Sequence, residues 1–105
     1  MKRIVNDVEV ETFKKECVSY NIIDVEVGTT GPLNNNAGKG SRTYFSLRDA
    51  ACTNIMAKID VGEGIYEFDS FDKIEIILER DSEIETFIEA LEFAVETLKR
   101  QSAKK

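Results

Sequence analysis

A chain of 105 residues with formal net charge -6, 42% hydrophobic and 32% charged residues reads as one globular domain spanning 1–105. The acidity excludes a general binder of DNA or RNA, whose affinity comes from a basic surface that neutralises phosphates, so no nucleic acid polymer is expected as a partner. Histidine is absent from the sequence, which removes the commonest general base and metal ligand; no catalytic residue, metal site or cofactor is expected.

No apolar run approaches the roughly 20 residues of a membrane helix. The opening MKRIVNDVEVE carries two basic residues but no apolar stretch of the signal-peptide kind. A cytoplasmic protein with no membrane partner is therefore expected. Cys17 and Cys52 stand apart and outside any C-x-x-C pattern, so both are expected to be reduced and packed as small hydrophobes.

In chain order, Asp7 is placed to cap a helix over Val8–Ser19, because Val10, Phe13 and Cys17 fall at i, i+3, i+7. The alternation of Val8 and Val10 makes a short strand the competing reading. Asn21–Thr29 reads as a strand, with Ile23, Val25 and Val27 alternating against Asp24 and Glu26. A glycine-rich loop over residues 28–42 follows, with Gly31, Gly38 and Gly40, the only proline (Pro32) and three asparagines in a row. From Gly28 to Arg48 there is no acidic side chain, whereas Lys39, Arg42 and Arg48 are present. A basic, amide-rich loop on an acidic chain suggests capture of an anion; the same composition also suits a plain long connection.

Arg42–Asp49 is the next strand. Alternation sends Phe45 and Leu47 to one face and Arg42, Tyr44, Ser46 and Arg48 to the other. Arginine forks onto phosphate or stacks on a base, and tyrosine stacks on a base or bonds a ribose; an ordinary solvated face is the plain alternative. Asp49–Cys52 reads as a turn and Thr53–Val61 as a strand. Gly62 and Gly64 bracket a hairpin turn leading to Ile65–Phe68, and Lys73–Glu79 is a last strand. A helix over about 82–101 closes the chain: Ser82 and Glu85 have capping-box spacing, and Ile84, Phe87, Ile88, Leu91, Val95 and Leu98 form one apolar stripe. Phe93 lies off that stripe and could extend it toward a second chain. The fold class expected is α+β: an antiparallel meander sheet of about five strands, an N-terminal helix and a long amphipathic C-terminal helix.

Gly38-Lys39-Gly40-Ser41 is not a phosphate-binding P-loop, since the upstream glycine spacing is wrong and a strand follows where a helix is required. Acid pairs such as Asp69 with Asp72 read as solvated charges. The ligand-binding candidates are Thr29, Thr30, Gly31, Asn36, Lys39, Ser41, Arg42, Tyr44 and Arg48, with the loop amides, Lys39 and Arg42 on phosphate, and Tyr44 and Arg48 on base or sugar.

The segments VEVGTTGP, AGKGSRTYFSLRD and IEALEFAVETLK carry a resemblance over about Tyr20 to Leu98. The chain resembles small phage proteins, and within them the cyclic-nucleotide sponges directed against Thoeris and CBASS defence. That resemblance implies a homo-oligomer, dimer or higher, that sequesters a small nucleotide signal without cleaving it, in the host cytoplasm. The alternative is a protein-interaction module that inhibits a host or defence protein through its acidic surface; a third reading leaves the loop as only a connection.

Overall fold

The computed structural model describes residues 1–32 and 41–103. These form β1 (Lys2–Val5), β2 (Val8–Val18), β3 (Ile22–Thr29), β4 (Thr43–Ala51), β5 (Ala57–Asp60), β6 (Ile65–Phe68), β7 (Lys73–Leu78) and α1 (Asp81–Ser102). The main sheet is antiparallel, in the order β1-β2-β3-β4-β7, and β5-β6 is a separate two-stranded hairpin. The α+β class is as expected; the first element is not.

Where a helix over Val8–Ser19 was expected, the chain is the long strand β2. Asn6 and Asp7 both take positive φ, 46° and 70°, and join β1 to β2 as a two-residue turn that pairs Val5 with Val8. Asn and Asp tolerate that conformation better than most residues, and a turn of this hand matches strand twist. Asp7 thus turns a hairpin and does not cap a helix. With a hairpin in place, the Val8, Val10, Thr12 alternation governs, and the helical spacing of Val10, Phe13 and Cys17 is a coincidence.

The five strands are also not the five expected: β5 and β6, read as part of the meander, pair only with each other, β4 pairs directly with β7, and β1 and β2 complete the sheet; the other differences are local. The β4 ladder runs through the expected turn at Asp49–Cys52 as far as Ala51, with Cys52 at φ 58° just beyond it. The strand expected over Thr53–Val61 is confined to Ala57–Asp60. The turn at Gly62 is as read, with φ 89° and the Val61 amide donating to the Gly64 carbonyl at 2.9 Å. Arg80 occupies the N-cap of α1 without a side-chain cap bond. Ser82 then lies inside the helix, so the capping box does not form. Cys17 and Cys52 are unpaired and exposed, not packed inside.

The two faces of the sheet follow the alternation, but their burial is reversed. One face carries Phe13, Val27, Phe45 and Ile76 in register, and α1 lies against it with Phe87 edge-on to Phe45, ring centroids 5.8 Å apart. Of that row, Phe13, Val27 and Ile76 remain exposed. The other face carries Thr12, Gly28, Tyr44 and Ile77, then Lys14, Glu26, Ser46 and Glu75, then Glu16, Asp24, Arg48 and Lys73. On it Thr12, Asp24, Glu26, Tyr44 and Ser46 are all buried. The cause is the long β2: its first half pairs with β1 and its second half with β3. The β1-β2 end therefore curls over the polar face, and Val5 and Val10 pack with Tyr44 beneath it.

Gly28 permits the curl. A Cβ at this position would stand 2.2 Å from the Glu11 carbonyl oxygen and 2.9 Å from Thr12 Cα, both backbone atoms that cannot step aside. Gly28→Ala is expected to cost at least about 2 kcal/mol by overpacking, lowering the melting temperature by roughly 10 °C in a domain of this size. Gly64→Ala, where an added Cβ meets nothing within 4 Å, is the control and should melt close to wild type. Equal melting temperatures for the two variants would refute the close approach of β2 to Gly28.

Candidate functional site

The candidates from the sequence separate into two groups. Thr29, Thr30, Gly31, Ser41 and Arg42 gather at the end of β3 and β4. There the Thr30 amide donates to the Arg42 carbonyl at 3.0 Å, the Arg42 amide returns a bond to Thr30 Oγ1 at 3.1 Å, and the Gly31 amide donates to Thr29 Oγ1 at 3.1 Å. The Arg42 side chain is buried; its Nη groups donate to the Ser41 and Asn6 carbonyls at 3.0 and 3.2 Å. Asn6 in turn donates through its side chain to Glu79. Asn36 and Lys39 lie outside the described residues. Arg48 is six residues along β4 from Arg42, roughly 20 Å away at strand rise.

Tyr44 lies between the two groups and is not a free stacking surface. It is 2% exposed, Arg3 covers its ring with the guanidinium carbon 4.6 Å from the centroid, and its hydroxyl donates to Glu75 Oε2 at 2.5 Å. Arg3 also forks onto Glu26, Nε to Oε2 at 2.9 Å and Nη2 to Oε1 at 2.8 Å, while Thr12 Oγ1 donates to Glu26 Oε2 at 2.7 Å. The buried carboxylate is thereby met by three donors, as a buried charge requires.

Beside this fork is a polar pocket of about 70 Å³, lined by Arg3, Lys14, Asp24, Glu26, Ser46, Arg48 and Lys73. That volume has room for a few waters or one tetrahedral oxyanion. Four cationic side chains and two carboxylates line it, and two further carboxylates, Asp72 and Glu75, reach Arg48 and Lys73 from its rim. Arg48 is held by Asp24 at 3.2 Å and approached by Asp72 at 3.9 Å, and Lys73 Nζ lies 3.3 Å from Glu75. Arg48 and Lys73 keep about half and a third of their side-chain exposure, so donors remain open to solvent at the rim. The arrangement can bind a compact anion through a fork and point charges.

Of the lining residues, only Arg48 is among the ligand-binding candidates from the sequence. Lys73, Asp24 and Glu26 were assigned to strands, and alternation places them on the face of Arg48; that was the available signal. Arg3 and Lys14 were hidden by the misread N-terminal segment. No family model matches the chain, no curated protein matches it, and no solved structure matches its fold. Among the described residues no group of three His, Cys, Asp or Glu is placed to hold a metal, and no helix is long and apolar enough to cross a membrane.

The network has an acid dependence of definite sign. The Arg3 fork holds the Glu26 carboxyl below its ordinary value of 4.5, against the opposing effect of burial. The Tyr44 hydroxyl, and after it Lys73, do the same for Glu75. Groups with depressed folded pKa values bind fewer protons folded than unfolded, so they stabilise above 4.5 and lose that contribution as pH falls through the depressed values. The melting temperature should therefore drop below pH 4.5. Arg3→Met leaves Glu26 without its main partner and should cost about 2–3 kcal/mol at neutral pH, less than for a fully buried pair because Arg3 is partly exposed. In that variant protonation relieves the unpaired carboxylate, so its deficit relative to wild type should shrink on acidification; a deficit independent of pH would contradict the ion-pair assignment.

Proposed function

We propose that this chain is a non-catalytic binding protein for a small phosphorylated ligand, and that the polar pocket on the curled face of the sheet receives a phosphate of that ligand. The observation that carries the reading is the convergence of Arg3, Lys14, Arg48 and Lys73 on one small pocket of an acidic chain. Four cations drawn from β1, β2, β4 and β7 converge there, and Asp24, Glu26, Asp72 and Glu75 hold three of them in place. Binding of this kind needs donors and a shaped surface but no poised base. The pocket admits an oxyanion and not a base, so the nucleoside part of a nucleotide would lie outside it, over the exposed rim formed by Arg48 and Lys73.

The resemblance to phage cyclic-nucleotide sponges supports a nucleotide signal as the ligand and sequestration as the outcome, in the cytoplasm of the host cell. The loop group at Thr29, Thr30, Gly31 and Arg42 lies on the same two strands as the pocket, Thr29 three residues from Glu26 and Arg42 four from Ser46, roughly 10–13 Å at strand rise.

Titration calorimetry with cyclic di- and trinucleotides, ADP-ribose and its cyclic forms, and ATP tests the reading, with recovery of the ligand intact after heating as the check on sequestration. One class should bind, and Arg48→Ala should weaken it by roughly 10- to 100-fold, the value of one charge-assisted bond, with an unchanged circular dichroism spectrum. Absence of heat with every ligand, or full affinity in Arg48→Ala, would refute the pocket as the binding site.

A further inference from the structure

The β5-β6 hairpin takes no part in the main sheet, and the polar pocket does not use it. It stands beside β7 and borders with it a second hollow, of about 360 Å³. That volume is within the range of small-molecule sites, which the polar pocket of about 70 Å³ is not. The walls are apolar and aromatic: Ile59 and Phe68 from one face of the hairpin, Phe71 from the turn after it, and Ile74 of β7. Ile59 and Phe68 are each 45% exposed, so these walls are open to a ligand.

The hollow also borders the free edge of β7. This is the last strand of the sheet, and among the described residues only β4 pairs with it. The Asp49 amide donates to the Asp72 carbonyl at 3.1 Å, one step beyond the Arg48–Lys73 pair of the ladder. Antiparallel bonds alternate along a strand, so Asp72, Ile74 and Ile76 turn their amides and carbonyls to β4, and Lys73 and Glu75 turn theirs to the outer edge. The other side of β4 gives the same phase. There the Thr30 amide donates to the Arg42 carbonyl at 3.0 Å, so even-numbered residues of β4 bond β3 and odd-numbered ones bond β7.

Lys73 and Glu75 both line the hollow. The Lys73 carbonyl and the Glu75 amide are thus an acceptor and a donor, two residues apart on one edge. A planar group with a donor beside an acceptor can bridge them, as one residue of a parallel strand would. Nucleobases carry such edges, and aromatic side chains give them a stacking surface. An acyl chain would suit the walls but leave the edge donor and acceptor unmatched.

Position decides what else the occupant carries. Lys73 lines the hollow and the polar pocket alike. A group held in the hollow is therefore one side chain away from an anion in the pocket.

We propose that this hollow is the base subsite for the ligand whose phosphate enters the polar pocket, with a nucleobase lying against Phe68 and Phe71 and bonded by the Lys73 carbonyl and the Glu75 amide. The inference rests on the phosphate reading above and adds the group that separates a nucleotide from other phosphorylated ligands.

Calorimetry with AMP, GMP, CMP and UMP, against ribose 5-phosphate as the probe without a base, tests it. At least one nucleotide should bind roughly fivefold or more tightly than ribose 5-phosphate. Phe68→Ala and Phe71→Leu should each weaken that nucleotide by roughly 5- to 100-fold, the loss of one stacked base, and leave ribose 5-phosphate unchanged. Phe71→Leu keeps the apolar bulk, and circular dichroism checks the fold of both variants. Arg48→Ala should weaken all the probes alike. In isotopically labelled protein the Glu75 amide should shift with the nucleotide and not with ribose 5-phosphate. Equal affinity for nucleotides and ribose 5-phosphate, which would leave the hollow to an apolar or peptide occupant, overturns the base subsite. So does a nucleotide indifferent to both phenylalanine substitutions; if it still depends on Arg48, the phosphate pocket stands. Absence of binding by every probe overturns both.

Discussion

The fork between Arg3 and Glu26 is the constraint on which the rest of the structure depends. Glu26 is buried in the middle of β3, and a carboxylate in that position is tolerable only if donors meet it. They come from β1 and from Thr12 of β2, so the N-terminal hairpin has to curl over the face of the sheet to deliver them. Gly28 makes room for the curl, Val5 and Val10 seal it, and Tyr44 fills the space beneath Arg3. One ion pair thus ties together residues 23 positions apart in the chain and sets the curvature of the sheet.

That curvature reverses the usual economy of a sheet with one apolar and one polar face. The polar face is sheltered, and sheltered charges interact more strongly than solvated ones because the local dielectric is lower. Cations gathered in such a place are disposed to take up an anion. The apolar face is left with a single helix that covers part of it, and Phe13, Val27 and Ile76 stay exposed beside it.

Much of the fold was legible in the sequence. The Ile23, Val25, Val27 alternation, the Gly62–Gly64 turn and the α1 stripe from Ile84 to Leu98 each carry a period that local sterics enforce, and each was read in its place. The first twenty residues were not legible in this way. Val10, Phe13 and Cys17 fit a helical period, and the decisive signal was the Asn6-Asp7 pair between alternating valines, which favours a tight hairpin over a cap. The site suffered for that error. Arg3 and Lys14 can be seen to face Arg48 only once β2 is known to be a strand beside β3. Burial of Tyr44 could not be read locally at all, because it depends on a hairpin closing over the sheet from a distant part of the chain. Alternation assigns a side chain to a face; tertiary curvature decides whether that face is wet.

The account stands most directly on the claim that the curled polar face is where a ligand binds. The measurement that tests it is a nuclear magnetic resonance titration of isotopically labelled protein with the nucleotide that binds, following backbone amides together with the side-chain Nε–H signals of Arg3 and Arg48. The account predicts shifts concentrated on Arg3, Lys14, Asp24, Ser46, Arg48 and Lys73, with the outer surface of α1 unmoved. Shifts concentrated on α1, with Arg3 and Arg48 unchanged at saturation, would contradict it.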